Sequence, residues 1–466
     1  MDFVNMGDLS MDRIWSGALK ILGEIGLQIA NGRISRALAG KLPLKDDRVR
    51  FPEEMVEHYR DEIRKRFGTA QSLSPVERIN IFVSSLNPYW LDPVDGRIKP
   101  HDVQRVIRNT KLVGQMADEG LLGGSVAGIP QDVPAEMQFL MAHYIDCVFS
   151  RHPNGWCLMH SEAVMRYFFK IAEVMGFRKS IGTEMISPLK FMGQSIDLAI
   201  DFGGKDVAVG IDPMPILGVT APADWHMAWA QSVAENMGSY IIFRECGLEQ
   251  VDPPSFRLFL SNPVACTTYF SSPQHIIALL ARRKVREFFG LATTGAELLL
   301  VASKAPDQQA AMEKMAGCLL GKLCGFSYLE GAGGLWLDEI FSPQQLLIDV
   351  EIKHYVEGVA ADLNGPAQDI VAVMKEGIRT GGFLEADLTL DRFKQFVWKS
   401  KLFDLGSRGS WKGDHQTLLS KTARLSEEKI SAYTYELTDN RREALDAVLA
   451  QAKNEFGCET KWIGIP

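Results

Sequence analysis

Two hydrophobic periods alternate along this chain, and their order predicts its architecture. Near the start, Met11, Ile14, Trp15, Ala18, Leu19, Leu22 and Ile25 recur at steps of three and four. That spacing places them on one face of an amphipathic helix beginning near Ser10. A second helix is predicted after Phe51-Pro52-Glu53, where proline suits the first turn and the acids favour the positive end of the helix dipole. Ile79–Val83 reads as a strand, Asn87–Asp92 as a loop and Asp95-Gly96 as a turn. From about residue 120, short apolar runs alternate with helix-length segments. Eight such runs are Leu121–Ala127, Trp156–His160, Ile181–Ile186, Val207–Ile211, Tyr240–Phe243, Ala265–Phe270, Leu291–Ala296 and Phe326–Leu329. Helices are predicted at Ser161–Met175, Trp225–Met237, Gln274–Phe289 and Gln309–Leu323. This order predicts the α/β class and a (β/α)8 TIM barrel, with Phe256–Leu260 competing for the sixth strand.

A further helix starts at Ser342, which can cap it, with Pro343 in its first turn and Gln345 as capping-box partner, and runs to about Asp362. The tail beyond reads as helical, broken at Thr380–Gly382, with a solvated outer helix at Arg441–Gln451. The chain thus divides into an N-terminal helical segment with a short β element over 1–105, the barrel over 106–365, and a C-terminal helical extension packed on the barrel over 366–466.

Composition narrows the function. Of 466 residues, 46% are hydrophobic and 23% charged, which excludes disordered and low-complexity classes. The net charge of −8 carries no basic run, so nucleic acid is not an expected partner. Seven cysteines without a CxxC pair point to a reducing compartment and supply no zinc-ligand spacing. The N-terminus lacks a signal-peptide pattern and no apolar stretch approaches ~20 residues. The expectation is a cytoplasmic protein with no membrane partner.

Reacting groups in such a barrel stand at the C-terminal ends of strands and in the following loops. These positions hold His160 with Glu162, Glu184, Asp212, Arg244 with Glu245, Tyr269 with Phe270, Thr293 with Thr294, and Tyr328 with Glu330, followed by the loop Gly331–Trp336. The census is a polar rim with aromatics and few nucleophiles. Plainer roles compete for several of these residues. Strand-end polar groups often only anchor loops, and Trp225 and Trp229 at i, i+4 fit helix-on-barrel packing. His354 fits a hydrogen-bonded helix residue. The glycines at 331, 333 and 334 lack the Lys-Ser/Thr of a phosphate loop and suit close backbone approach. What remains is a set of aromatic walls, to which Tyr89 or Trp90 could add, with the cation Arg244. Desolvated aromatic faces attract a quaternary ammonium by about 0.5–2 kcal/mol each, and arginine grips a carboxylate with paired hydrogen bonds. A zwitterion carrying both groups suits such a pocket.

Four stretches then stand out: Leu22-Gly23-Glu24-Ile25-Gly26-Leu27; Gly218-Val219-Thr220-Ala221-Pro222-Ala223-Asp224; Pro306-Asp307-Gln308-Gln309-Ala310 with Glu313-Lys314; and Phe341-Ser342-Pro343-Gln344-Gln345-Leu346-Leu347-Ile348-Asp349-Val350-Glu351-Ile352. Through these, and most through the last, the chain from about residue 10 to 415 resembles the trimethylamine methyltransferase family, in its branch without pyrrolysine. The resemblance implies a barrel of eight parallel strands with helical additions. It also implies transfer of a methyl group from a methylated amine to the cobalt of a corrinoid (cobalamin) carried by a separate protein, with no metal bound by this chain. Archaeal trimethylamine enzymes use pyrrolysine near the last barrel strands, whereas Cys324–Trp336 contains only common amino acids. A quaternary amine needs no activation, because it leaves as a neutral tertiary amine. The resemblance therefore implies demethylation of glycine betaine, proline betaine, carnitine or γ-butyrobetaine. The substrate-binding residues expected are His160, Glu184, Arg244, Phe270, Tyr328, Glu330 and Trp336, with Arg244 holding the carboxylate. A homo-oligomer is expected. Two other readings compete: a zinc-dependent corrinoid methyltransferase for methanol or thiols, which would need a Cys/His set, and a non-catalytic betaine-binding subunit.

Overall fold

A computed structural model of the chain describes residues 9–69, 76–154, 161–265, 267–268, 270–292, 295–359, 369–410 and 417–466. Its principal strands are β1 (Asn80–Val83), β2 (Lys179–Thr183), β3 (Val207–Ile211), β4 (Phe259–Asn262), β5 (Gly295–Ala296) and β6 (Tyr328–Ala332). The helices that matter for the site are α1 (Met11–Lys20), α2 (Glu162–Met175), α3 (Gln194–Phe202), α4 (Trp225–Glu245), α5 (Pro273–Phe288), α6 (Gln308–Leu323) and α7 (Pro343–Gly358).

The parallel pairing forms two arcs. In one, β5 pairs with β6, β6 with β1, and Phe82 of β1 bridges to Gly123, all in parallel. In the other, β2 pairs with β3 with Gly182 opposite Gly210, and Val209 bridges in parallel to Val251. Ile216-Leu217 adds a parallel pairing to β4. Among the described residues these arcs do not join into a closed sheet. β1, which lies within the 1–105 segment, is a full member of the parallel ladder.

Local capping sets most helix starts. Ser10, Ser161 and Ser342 accept hydrogen bonds from Arg13, Val164 and Gln345 N–H at 3.3, 3.2 and 3.2 Å. The capping box at α7 is only half formed. The Gln345 amide donates forward to Asp349 at 2.7 Å, and the Ser342 N–H is taken by the Gly333 carbonyl.

Several expectations need correction. Tyr240–Phe243 is the last part of α4 and not a strand. Its four apolar residues extend a helix that is buried almost all round, because α1 covers its other side. A Cβ on Gly17 of α1 would lie 2.9 Å from that of Ala230, and α4 has no solvated stripe to betray its period. Asn87–Asp92 is not a simple loop: Tyr89–Leu91 pairs in parallel with Ile340–Phe341. In the Ala265–Phe270 run, Thr267–Thr268 pairs antiparallel to β4, so Phe256–Leu260 is the segment continuous with the parallel pairing. The Trp156–His160 run lies outside the described residues. Finally, the helix Asn440–Glu455 is not merely solvated: Leu445, Val448, Leu449 and Ala452 are buried against Ala135–Phe149 and α2. No helix among the described residues is long and apolar enough to cross a membrane.

Candidate functional site

Strand alternation gives the sheet two faces. On β1 and β6, Ile79, Ile81, Val83 and Leu329 are buried in a core shared with α7 residues. The opposite face carries Phe82, Tyr328 and Glu330, with Glu330 in register with Phe82. The Phe82 and Tyr328 rings meet edge to face with centroids 4.6 Å apart, and the Tyr328 hydroxyl donates to Glu330. Glycines on the flanking strands make room for this pair, since a Cβ on Gly123 would overlap the Phe82 ring and one on Gly295 the Tyr328 ring.

An ionic group adjoins that wall. Asp212 follows β3 and Glu297 follows β5; both contact Arg257, from Nε to Asp212 at 3.0 Å and from Nη2 to Glu297 at 3.1 Å. Arg282 of α5 reaches the other oxygen of Glu297 at 3.2 Å. The segment bearing Arg257 is itself pinned: Arg282 donates to the Ser255 carbonyl at 3.2 Å and Arg286 to that of Pro254 at 2.9 Å. Burial alone would push the Glu297 carboxyl up, but the two guanidiniums outweigh it and lower it to about 2. Burial, and then the Glu297 charge, push Glu330 the other way, above the usual carboxylate range, against the pull of Tyr328 and Arg257. Two neighbouring carboxyls are thereby split, one held ionised and one shifted toward its neutral form. Phe270 packs edge-on against Phe259 and His275 at 5.8 and 5.2 Å, two residues that line a nearly filled crevice with Arg257, Arg282 and Glu297.

The loops that follow β5 and β6 are tied together beneath this wall. Lys314 of α6 and Asp349 of α7 are fully buried and meet at 2.8 Å. Lys314 also donates to the Leu299 and Gly331 carbonyls at 3.0 and 2.9 Å, while Asp349 accepts from the Gly333 N–H and the Gln345 amide, each at 2.7 Å. Burial pushes Lys314 down and Asp349 up, and their mutual attraction opposes both shifts. Gly331 must be glycine: its φ is +106° and a Cβ would lie 2.5 Å from the Leu299 carbonyl carbon.

The structure thus unites Tyr328, Glu330 and Phe270 with the ionic group, and sets Glu184, exposed just after β2, at the end of the neighbouring arc. His160 lies outside the described residues. Arg244 does not belong with these residues. It sits in the last turn of α4 with Nε 3.0 Å from Glu62 and donates to the Leu248 and Glu249 carbonyls. Its expected place followed from the misread strand. Arg244→Ala is therefore expected to leave KM within about twofold and cost on the order of 1 kcal/mol of stability, as for a partly exposed ion pair; steady-state kinetics beside a thermal melt would check this. Trp336 turns away into a satellite cluster with Leu335 and Ile340, with Lys304 Nζ 5.3 Å from its ring centroid. Trp90 is buried in the core beneath the Arg105 guanidinium, 3.6 Å above its ring. Trp229 is wholly buried packing. Sequence reasoning missed Phe82, Arg257, Arg282, His275 and Glu297. Two had a signal: Arg257 lies in the competing sixth run, and Glu297 directly follows β5. Among the described residues no group of three or more His, Cys, Asp or Glu is placed to hold a metal ion.

A methylamine methyltransferase model accounts for nearly the whole of this chain. The family model for trimethylamine methyltransferase (MTTB) matches residues 3–457, and the chain belongs to that family. It is 35% identical over 116 residues to trimethylamine methyltransferase MttB1 of Methanosarcina mazei and to MttB1 of Methanosarcina acetivorans, covering 24% of this chain and 23% of each relative. It is 40% identical over 91 residues to MttB2 of Methanosarcina mazei, covering 20% of this chain and 18% of the relative. The matched stretches thus span less than a quarter of these relatives. Among solved structures, the hydroxylamine complex of MtmB aligns over 92% of this chain and 95% of that one, at 11% identity and a TM-score of 0.45. The Methanosarcina barkeri monomethylamine methyltransferase MtmB aligns over the same shares at a TM-score of 0.40.

Proposed function

We propose that this protein is a methyltransferase that demethylates a quaternary amine of the glycine betaine type, with proline betaine, carnitine and γ-butyrobetaine as related candidates. The methyl group passes to a corrinoid carried by a separate protein. The observation that carries this reading is the wall of Phe82, Tyr328 and Glu330 on the face of β1 and β6 opposite the core shared with α7, in a member of this family. Two aromatic rings and a carboxyl suit a quaternary nitrogen, which offers no N–H to a hydrogen-bonding site. The two parallel arcs belong, on this proposal, to one (β/α)8 barrel that begins at β1.

The corrinoid supplies the reduced cobalt centre that accepts the methyl group. This chain's residues bind and aim the substrate. The departing amine is neutral, so no residue has to deliver a proton to it. Its positive charge disappears as the methyl leaves, so a cage that holds the cation too tightly would slow transfer. Glu330 supplies the carboxyl beside the rings, and its oxygen already accepts the Tyr328 hydroxyl. Arg257, with 27% of its side chain exposed and steadied by Asp212 and Glu297, takes the carboxylate-holding role first expected of Arg244. Positioning and exclusion of water then supply the catalysis.

The test offers a reduced corrinoid protein and a panel of quaternary, tertiary and secondary amines, following methyl–cobalt formation by absorbance. Turnover with a betaine and none with trimethylamine is expected. Betaine binding without methyl transfer to any corrinoid partner would indicate a binding subunit. Metal-dependent activity on methanol or thiols would indicate the zinc-type reading.

A further inference from the structure

We infer that the paired glycines Gly182 and Gly210 set substrate specificity by leaving room for a non-methyl arm on the ammonium nitrogen. This inference rests on the quaternary-amine reading above and names what that reading leaves open.

The two glycines are register partners on β2 and β3. Their neighbours Ile181, Val209 and Ile211 are buried in the core beneath the helices, so the glycines lie on the opposite face. Asp212 continues that face two residues beyond Gly210, and its N–H donates to the Thr183 carbonyl at 3.0 Å. Through the Asp212–Arg257 contact the strip adjoins the ionic group beside Glu330. On the proposed barrel, Gly182 and Gly210 thereby belong to the surface that surrounds the cation site.

Neither glycine is required by the backbone. Neither has a positive φ, and glycine in a strand interior costs stability through entropy and lost packing. Nor is either one crowded by a described residue. A Cβ on Gly182 would meet no described atom within 4 Å, and one on Gly210 would meet first the Gly182 Cα, at 3.7 Å. Gly123 and Gly295 of the other arc differ, because there the missing Cβ is replaced by the Phe82 and Tyr328 rings. Among the described residues, one side thus uses glycine to admit aromatic rings, and the other leaves space beside it. Gly182 is itself exposed. A ligand such as tetramethylammonium needs only the aromatic side. A trimethylammonium with a longer fourth substituent needs the glycine strip, with its arm crossing Gly182 and Gly210 toward the rim at Asp212, Glu184 and Arg257.

The experiment uses the full chain and three probes of increasing arm length: tetramethylammonium, glycine betaine and carnitine. Binding is measured by calorimetry for the native protein, Gly182→Val and Gly210→Val, with Gly182→Ala and Gly210→Ala as milder variants. The ratio of the carnitine Kd to the tetramethylammonium Kd is expected to rise about tenfold in each valine variant, the penalty of forcing an added side chain into occupied space. It should rise less in the alanine variants, with thermal midpoints close to native. If a valine variant fails to fold, the alanine ratio decides. An unchanged ratio in variants that fold overturns the inference while leaving the ammonium reading intact. So does a midpoint that drops steeply in both alanine variants, because the space would then be filled by the protein itself. Failure of the native protein to bind any of the three overturns both.

Discussion

Replacing Lys314 with methionine is expected to lower stability by about 3–5 kcal/mol, the usual cost of leaving one partner of a buried ion pair without the other. The Lys314 ammonium and the Asp349 carboxylate are both fully buried, and Lys314 spends its three donors on Asp349, Leu299 and Gly331. Methionine fills much the same volume but satisfies none of these acceptors. Asp349 would keep its hydrogen bonds from Gly333 and Gln345 and would take up a proton to relieve its charge. The loops after β5 and β6 would lose their common tie, so Tyr328 and Glu330 should become less ordered as well. Urea denaturation read by circular dichroism measures the loss. The double replacement Lys314→Met with Asp349→Leu should recover part of it, since an apolar pair leaves no stranded charge. A single variant within 1 kcal/mol of native would show that the pair does not hold the loops.

Replacing Tyr328 with leucine is expected to weaken quaternary ammonium binding by about 5–30-fold, the upper part of the 0.5–2 kcal/mol range for a desolvated aromatic face. The effect has two sources: loss of the ring that meets Phe82 edge to face, and loss of the hydroxyl that donates to Glu330. Tyr328→Phe separates them by keeping the ring, and should retain most of the affinity. In the corrinoid assay the leucine variant should show the change mainly in KM, because the ring holds the cation before the charge disperses. Titration with tetramethylammonium gives the same comparison without the partner protein. Equal affinity in the native and leucine proteins would remove Tyr328 from the site.

Much of this architecture is written in short-range signals. Ser10, Ser161 and Ser342 cap their helices through hydrogen bonds to the third residue on, so a window of four residues suffices to see them. Val207–Ile211 is a strand in the structure with the bounds its apolar run predicts. Tyr328 and Glu330 were legible because they belong to a terminal apolar run and the positions just after it. The stretches around Lys314 and Asp349 that carried the family resemblance turn out to be the two halves of one buried pair, though nothing in either stretch announces the other.

What stayed hidden depends on contacts between distant segments. Tyr240–Phe243 has the length and composition of a buried strand, and only the segments packed on that end of α4 explain why a helix there can be apolar all round: Leu22 and Leu27 meet Gly238, Tyr59 meets Tyr240 and Phe191 meets Phe243. Reading it as a strand put Arg244 among the site residues, whereas in the last turn of α4 its partner is Glu62, far away in the chain. Arg257 lies in the apolar run that competed for the sixth strand, but its neighbours are set by Arg282 and Arg286 of α5, which hold the carbonyls of Ser255 and Pro254. The sequence alone determined the helix starts, the α/β rhythm, the family and the aromatic–carboxyl end of β6, because each is encoded within a few residues or a continuous motif. The tertiary structure alone decided which charges gather beside Tyr328 and Glu330 and which are paired elsewhere, because burial and ion pairing belong to neighbours that the chain brings together only on folding.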